Sequence, residues 1–347
     1  MFLIKKFFLL FLELLLLIFI KSLRRPIKAP YNQELASYLH LLCFESYFVD
    51  AGRCISKFVP FFRSYNFYES KVVVCDESRN KCGFYVLVSV YENFIVLVFS
   101  GTLTNSQLLK QPLSFFQKRI YYSNSGLVNK YYAKSFEKIW VHAKRVFFDR
   151  RFRSYKVYVT GHSLGAVFAS LAAFKISYSK YRNGKDIFLY TFGGPRIGSL
   201  EFAKNFDKLV PNSWRVVVST DIVPHFPPCT KMKERNLKFY KRIFRRRKSK
   251  PCDPYDHNGY YHHGVEVWYP LGTKSKYFIC NGYPKNEDFG CSDGLVYHKR
   301  SFWENRRNHS IYFIDLLDKY IDIFLYKPNV ICALDKDPKN SRYQLGD

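Results

Sequence analysis

Residues 156–166 read Lys-Val-Tyr-Val-Thr-Gly-His-Ser-Leu-Gly-Ala, and they constrain this chain more than any other stretch. A short β-branched run leads into them, and an alanine-rich segment of helical length, Ala166 to Tyr178, leads out. Between the two stands Ser163, with Gly161 two residues before it and Gly165 two after. A strand that turns at once into a helix leaves no room beside the turn, so bulk at either glycine would strike the neighbouring strand or helix. The pattern predicts a strained turn with its serine at the tip. Behind that serine, a helix N-terminus directs N–H groups and a positive dipole end at developing negative charge.

The surrounding chain repeats the same alternation. Short β-branched runs recur at 71–75, 84–90, 94–99, 156–160, 187–192 and 215–219, and the later ones are near-continuously apolar. Strands buried on both faces read this way. Segments 127–148 and 164–181 carry helical periodicity, and 31–48 reads as an entry helix. Strands alternating with helices predict an α/β protein, a mostly parallel central sheet with helices on both faces. With 347 residues and no Gly/Ser- or Pro-rich linker in the body of the chain, residues 26–347 are expected to form a single domain.

Composition limits the compartment and the partners. Apolar residues make up 48% and charged ones 24%, which excludes a disordered chain. Residues 1–25 begin with Lys5 and Lys6, run apolar from Phe7 to Ile20, and exit through Lys21-Ser22-Leu23-Arg24-Arg25. A membrane span needs about 20 apolar residues and a signal-peptide core about 7–15, so the segment reads as a signal peptide, or as a signal anchor if uncleaved. Secretion is the expected localisation. The nine cysteines, at 43, 54, 75, 82, 229, 252, 280, 291 and 332, contain no Cys-x-x-Cys pair. Eight fall into sequence neighbours, 43/54, 75/82, 229/252 and 280/291, and in an exported chain these are expected to be structural disulfides, although sequence alone does not fix connectivity. One glycosylation sequon is present, Asn308-His309-Ser310.

Val-Thr-Gly-His-Ser-Leu-Gly-Ala at 159–166 resembles the nucleophile elbow of the class 3 (fungal-type) lipases, within the α/β-hydrolase fold. Four further blocks match in order: Val98-Phe-Ser-Gly-Thr102, Thr191-Phe-Gly-Gly-Pro-Arg-Ile-Gly198, Asp221-Ile-Val-Pro-His225 and His262-His-Gly-Val-Glu-Val-Trp268. Together they span roughly 85–280. The resemblance implies an ester hydrolase that uses an acyl-serine intermediate and no cofactor or metal. Ser163 is the expected nucleophile, since an alcohol attacks only with a base beside it. Asp221 follows the run 215–219, where ligands gather at strand C-termini, and is the expected acid. For the base, the family's histidine four residues before a Glu implies His262; His263 and His309 are the alternatives. Leu164, directly after the nucleophile, and Thr102 are the expected oxyanion-hole donors through their backbone N–H groups. One departure stands beside Thr102: the family usually carries Arg before that Gly-Thr pair, and this chain carries Ser100.

Two segments bear on what the protein touches. Residues 103–120 occupy the place of a lid, with Leu and Phe mixed among Gln and Lys, and are read as a lid or an ordinary surface loop. Residues 231–250 hold eleven basic residues and one acidic, a net +10 of the chain's +27, between Cys229 and Cys252. With Phe239, Tyr240, Ile243 and Phe244 interspersed, the segment is read as an adsorption surface for lipid or another anionic surface, or as a solvated loop. No nucleic-acid recognition motif accompanies it. The expected function is hydrolysis of lipid esters, most simply triacylglycerols. The rivals are a phospholipase A1 or short-chain esterase on the same triad, and a non-catalytic basic binding protein on the same scaffold.

Overall fold

A computed structural model describes residues 29–47, 55, 59–101, 118–233, 249–282, 286–297, 302–314, 316, 318 and 319, without the side chains of 302 and 303. The chain divides into residues 1–30 and 31–347, and the first unit, with its expected signal segment, lies outside the described residues save 29 and 30. The same holds for Cys54, Thr102, 103–117, 234–248 and Cys332. Among the described residues no helix is long and apolar enough to cross a membrane.

The main sheet has eight strands. In chain order they are β1 (Tyr65–Val74), β2 (Lys81–Ser89), β3 (Phe94–Phe99), β6 (Lys156–His162), β7 (Ile187–Phe192), β9 (Asn212–Val218), β11 (Val265–Tyr269) and β12 (Phe278–Cys280), and they are neighbours in that same order. The run β3-β6-β7-β9-β11 pairs in parallel, whereas β1-β2-β3 and β11-β12 pair antiparallel. Parallel pairing requires crossovers. Helix α2 (Lys130–Ala143) lies in the one before β6, α3 (Leu164–Tyr178) in that before β7, and α4 (Leu200–Leu209) in that before β9. Helix α1 (Gln33–Glu45), capped by the Asn32 side chain on the Leu35 N–H, precedes the sheet. A small second sheet joins β4 (Arg119–Tyr121), β5 (Leu127–Asn129), β8 (Gly198–Ser199) and β10 (Tyr260–Tyr261).

Burial follows the sequence pattern. Every residue of β9 is buried, as expected of a central strand covered on both faces. In α3, Leu164 to Phe174 is buried without a break, so this helix packs inside the protein rather than along its surface. The expected α/β-hydrolase architecture is the one observed, with a sheet that turns antiparallel at both edges.

Three disulfides close among the described residues, Cys75–Cys82, Cys229–Cys252 and Cys280–Cys291. The expected 43/54 pair is not among them. Cys43 is a free, buried thiol on α1 with its Sγ 3.2 Å from Thr160 Oγ1, packed against β6. Cys229–Cys252 ties together the two ends of the basic 231–250 segment. Beside that bridge the buried Arg196 guanidinium meets Glu287 through two hydrogen bonds of 2.8 and 2.7 Å, and Asp293 at 3.0 Å. It also donates to the carbonyls of His225 and Pro227, so one buried cation fastens the loop after Asp221 to the chain's later segments. Burial opposes ionisation of Asp293, but His225, Arg196 and Lys231 outweigh it and hold the carboxyl down at about 2.

Several histidines are buried in neutral form. His40 packs among His162, Phe192, Tyr312 and Phe313, and burial pushes it down to about 3. Above about pH 6.5 both folded and unfolded chains hold such a histidine neutral; below it the unfolded chain binds a proton that the folded chain refuses. The stabilisation is therefore complete above pH 6.5 and lost as pH falls toward 3. His40→Phe keeps an aromatic ring at the site and removes one titrating group. Between pH 6 and 4 its unfolding free energy, from urea titrations, should fall less steeply with falling pH, by up to about 1.4 kcal/mol per pH unit.

Candidate active site

Ser163 sits between β6 and α3 with φ 58° and ψ −122°, a left-handed backbone that a serine adopts only under tertiary constraint. Strain of this kind costs on the order of 1–3 kcal/mol. The constraint is visible in the glycines. A Cβ at Gly161 would run into the Gly165 carbonyl, and one at Gly165 into the Phe99 carbonyl of β3. The Ser163 N–H donates to the Phe192 carbonyl at 2.9 Å, pinning the turn to the end of β7. No described residue hydrogen-bonds the Ser163 hydroxyl. At the start of α3 the Ala166 N–H donates to the Ser163 carbonyl at 3.0 Å, while the first N–H groups of a helix, here Leu164 and Gly165, lack a partner within it.

Asp221 lies three residues beyond β9 and is fully buried. The Val223 N–H donates to its Oδ1 at 2.9 Å, and the Tyr312 hydroxyl to its Oδ2 at 2.6 Å. Burial, and then the charge of Asp221, push the Tyr312 phenol far above its ordinary value, so it remains a donor. The third partner is His309, whose Nδ1 lies 2.9 Å from the same Oδ2. A carboxylate can only accept, so Nδ1 carries the proton and Nε2 keeps its lone pair. That Nε2 is buried and has no hydrogen-bond partner among the described residues.

His309 reaches this position from late in the chain, in the turn Asn308–Ser310 that follows α5 (Phe302–Arg307). Two side chains of that segment lock onto the residue beside Asp221. Thr220 Oγ1 donates to Asn305 Oδ1, and Asn308 Nδ2 donates to Thr220 Oγ1, both at 2.7 Å. The sequon asparagine is thus engaged in holding the turn. Gly193, directly after Phe192, completes the approach: a Cβ there would meet both the His309 ring and Asp221 Oδ2 at under 3 Å. The His309–Asp221 pair therefore lies against the segment to which Ser163 is pinned. The His309 ring also lies 4.5 Å, centroid to centroid, from that of His162, the residue before the serine.

The expected pairing of His262 with Asp221 does not form; Asp221 pairs with His309 instead. His262 donates from Nε2 to the Pro224 carbonyl at 2.7 Å, and its own N–H is held by Glu287. Burial, with Arg215 and Arg196 nearby, drives its imidazole well below the ordinary value. His263 turns elsewhere, its Nε2 3.0 Å from Ser170 Oγ and its ring 4.0 Å from Phe206. The physical reason lies in β11. It runs parallel to β9, so its last residue, Tyr269, lies beside Ser219 near Asp221, while His262 precedes its opposite end. The one sequence signal for His309 is order: the base follows the acid in this fold, and His309 is the last histidine of the chain.

Ser100, where the resembling family carries Arg, is also accounted for. Its hydroxyl accepts the Gly83 N–H at 2.9 Å and donates to the Gly83 carbonyl at 3.0 Å, clasping the end of β3 to β2. The expected oxyanion donor Thr102 lies outside the described residues, one step beyond this clasp and Gly101.

In sequence and in fold the chain is similar to known lipases. The family described as Lipase (class 3) matches residues 96–231. A lipase of Caenorhabditis elegans is 37% identical over 287 residues, covering 81% of this chain and 80% of that one. The lipase of Rhizopus niveus is 30% identical over 175 residues, half of this chain and 34% of its own length. Among solved structures, a Rhizomucor miehei lipase–propeptide complex superposes with a TM-score of 0.59 at 22% identity, over 82% of each chain. Lipase II from Rhizopus niveus does so with a TM-score of 0.59 at 26% identity, over 81% of this chain and 93% of that one. The chain belongs to the class 3 lipase family and is a carboxylic ester hydrolase of lipids.

Proposed function

We propose that this protein is a secreted triacylglycerol lipase in which Ser163 is the nucleophile, His309 the general base and Asp221 the orienting acid. The observation that carries the assignment is the 2.9 Å His309–Asp221 hydrogen bond, which leaves a buried Nε2, unpartnered among the described residues, beside the serine turn. His309 Nε2 takes the Ser163 proton as Oγ attacks the ester carbonyl carbon. The carbonyl oxygen becomes an oxyanion, for which the N–H groups of Leu164 and Thr102 are the proposed donors. Collapse of the tetrahedral intermediate breaks the bond to the alcohol, which leaves with the proton from His309 and forms the acyl-Ser163 ester. Water, deprotonated by the same nitrogen, then releases the fatty acid and restores the serine. The chemistry closes on the protein's own groups.

Export is supported by the disulfides, which persist in oxidising compartments, and by the expected signal segment. Adsorption to anionic or lipid surfaces through 231–250 is supported by its net +10 and by the Cys229–Cys252 bridge that closes it. The triacylglycerol assignment rests on relatives named lipases. In a chain-length series, long-chain triacylglycerols should be cleaved faster than both phosphatidylcholine and a short soluble ester, and a preference for either of the latter would redirect the assignment.

Reaction with a fluorophosphonate tests the machinery directly. Ser163→Ala and His309→Gln should each reduce labelling and ester turnover by at least about a thousandfold. His262→Gln, provided that it folds, should label at a rate close to that of the unaltered protein. Labelling that survives in His309→Gln and fails in a folded His262→Gln would return the base to His262.

A further inference from the structure

The residue before the nucleophile, His162, makes two hydrogen bonds, one from each ring nitrogen. Nε2 lies 2.8 Å from the His309 backbone carbonyl, and Nδ1 lies 3.1 Å from the Tyr47 hydroxyl. A carbonyl only accepts, so Nε2 carries a proton. Burial, with His309 and His40 close by, drives this imidazole well below its ordinary value, so it is neutral and Nδ1 carries none. Nδ1 therefore accepts from the Tyr47 hydroxyl. That hydroxyl also lies directly against Gly101. The contact is close enough that a Cβ on Gly101 would collide with the Tyr47 hydroxyl and with the His162 carbonyl. The result is one directed chain, Tyr47 O–H to His162 Nδ1 and His162 Nε2–H to the His309 carbonyl, with the Tyr47 hydroxyl packed against Gly101.

We propose that Tyr47 and His162 are positioning residues, forming a neutral tether that holds the start of the oxyanion loop, the serine turn and the backbone of the base in one arrangement. The inference rests on the Ser163–His309–Asp221 assignment above. Each link acts on a different part of the machinery. Gly101 immediately precedes the proposed donor Thr102, His162 immediately precedes Ser163, and the His309 carbonyl belongs to the residue whose ring pairs with Asp221. Neither side chain is placed to touch the scissile bond through these contacts, since both ring nitrogens of His162 and the Tyr47 hydroxyl are already engaged. Tyr47 lies in the turn directly after α1, far from all three segments in sequence, so the tether also brings the end of the N-terminal helix into the active-site framework. Together with the Ser100–Gly83 clasp, it supplies support beside the position where the resembling family carries an arginine. Losing the Tyr47 hydroxyl removes its contact with Gly101, leaves His162 Nδ1 without this partner and frees the imidazole to change tautomer, which loosens its hold on the His309 carbonyl.

The test is Tyr47→Phe in the full chain, which removes one oxygen, with His162→Gln as a second variant that keeps an amide donor within reach of the His309 carbonyl. On a soluble short-chain ester, Tyr47→Phe should lower kcat about tenfold with KM changed less than twofold, because small displacements of reacting groups penalise the transition state and not ground-state binding. A boronic acid that forms a tetrahedral adduct with the serine should bind about tenfold more weakly in the same variant. His162→Gln should lose activity as well, and the double variant should lose less than the product of the two, because both break one chain. Unchanged kcat and boronate affinity in Tyr47→Phe, or a loss confined to KM, overturns the tether. If His309→Gln retained activity, the underlying assignment of the base would fail instead, and the two failures are thereby told apart.

Discussion

The backbone-to-backbone approach at the serine turn is the constraint on which the rest depends. A side chain at Gly161 would enter the Gly165 carbonyl, and one at Gly165 would enter the carbonyl of Phe99. Helix α3 can lie this close to β3 and β6 only because both positions lack a Cβ. That closeness forces Ser163 into a left-handed backbone and aims the N-terminus of a buried helix at the serine. A strained residue in a protein interior persists only when its surroundings over-determine it. Here the Phe192 carbonyl, the Gly193 approach and the tether through His162 all do so.

The proposed acid and base reach this turn from different directions. Asp221 is delivered by β9, and the loop that follows it is held from behind by the buried Arg196 with Glu287 and Asp293. Breaking a buried ion pair of this kind leaves uncompensated charge in the interior, so the loop is fixed rather than adjustable. His309 comes from the other side, on a turn fastened to Thr220 through Asn305 and Asn308. The carboxylate of Asp221 thus receives His309, Tyr312 and the Val223 N–H.

What was legible in the sequence was whatever a local pattern determines. The strands β3, β6, β7 and β9 stand where β-branched runs predicted them, and α3 begins where the Gly-x-Ser-x-Gly turn demands. Ser163 and Asp221 carry their own context, a strand followed by a turn, and both are where that context implies. The base has no such context. His262 sits in a motif-like block, but that block forms a strand whose near end points away from Asp221, while His309 depends on a turn held by contacts with residues 88 positions away. His309 also lies inside the sequon, whose Asn308 amide is engaged with Thr220. Cys43 follows the same logic: proximity to Cys54 in sequence suggested a bridge, whereas its helix packs it against Thr160. The antiparallel edges were illegible too, since an apolar run does not declare the direction of its neighbour.

The central claim is that Ser163, His309 and Asp221 form one catalytic unit, and a crystal structure of the protein inactivated by an alkyl phosphonate tests it most directly. The account predicts a covalent bond from Ser163 Oγ to phosphorus, with the phosphoryl oxygen accepting from the Leu164 N–H. His309 Nε2 should lie within hydrogen-bond distance of a phosphonate oxygen, and its Nδ1 should remain on Asp221. An adduct on another residue, or one on Ser163 in which His262 or His263 rather than His309 faces the phosphonate, would contradict it.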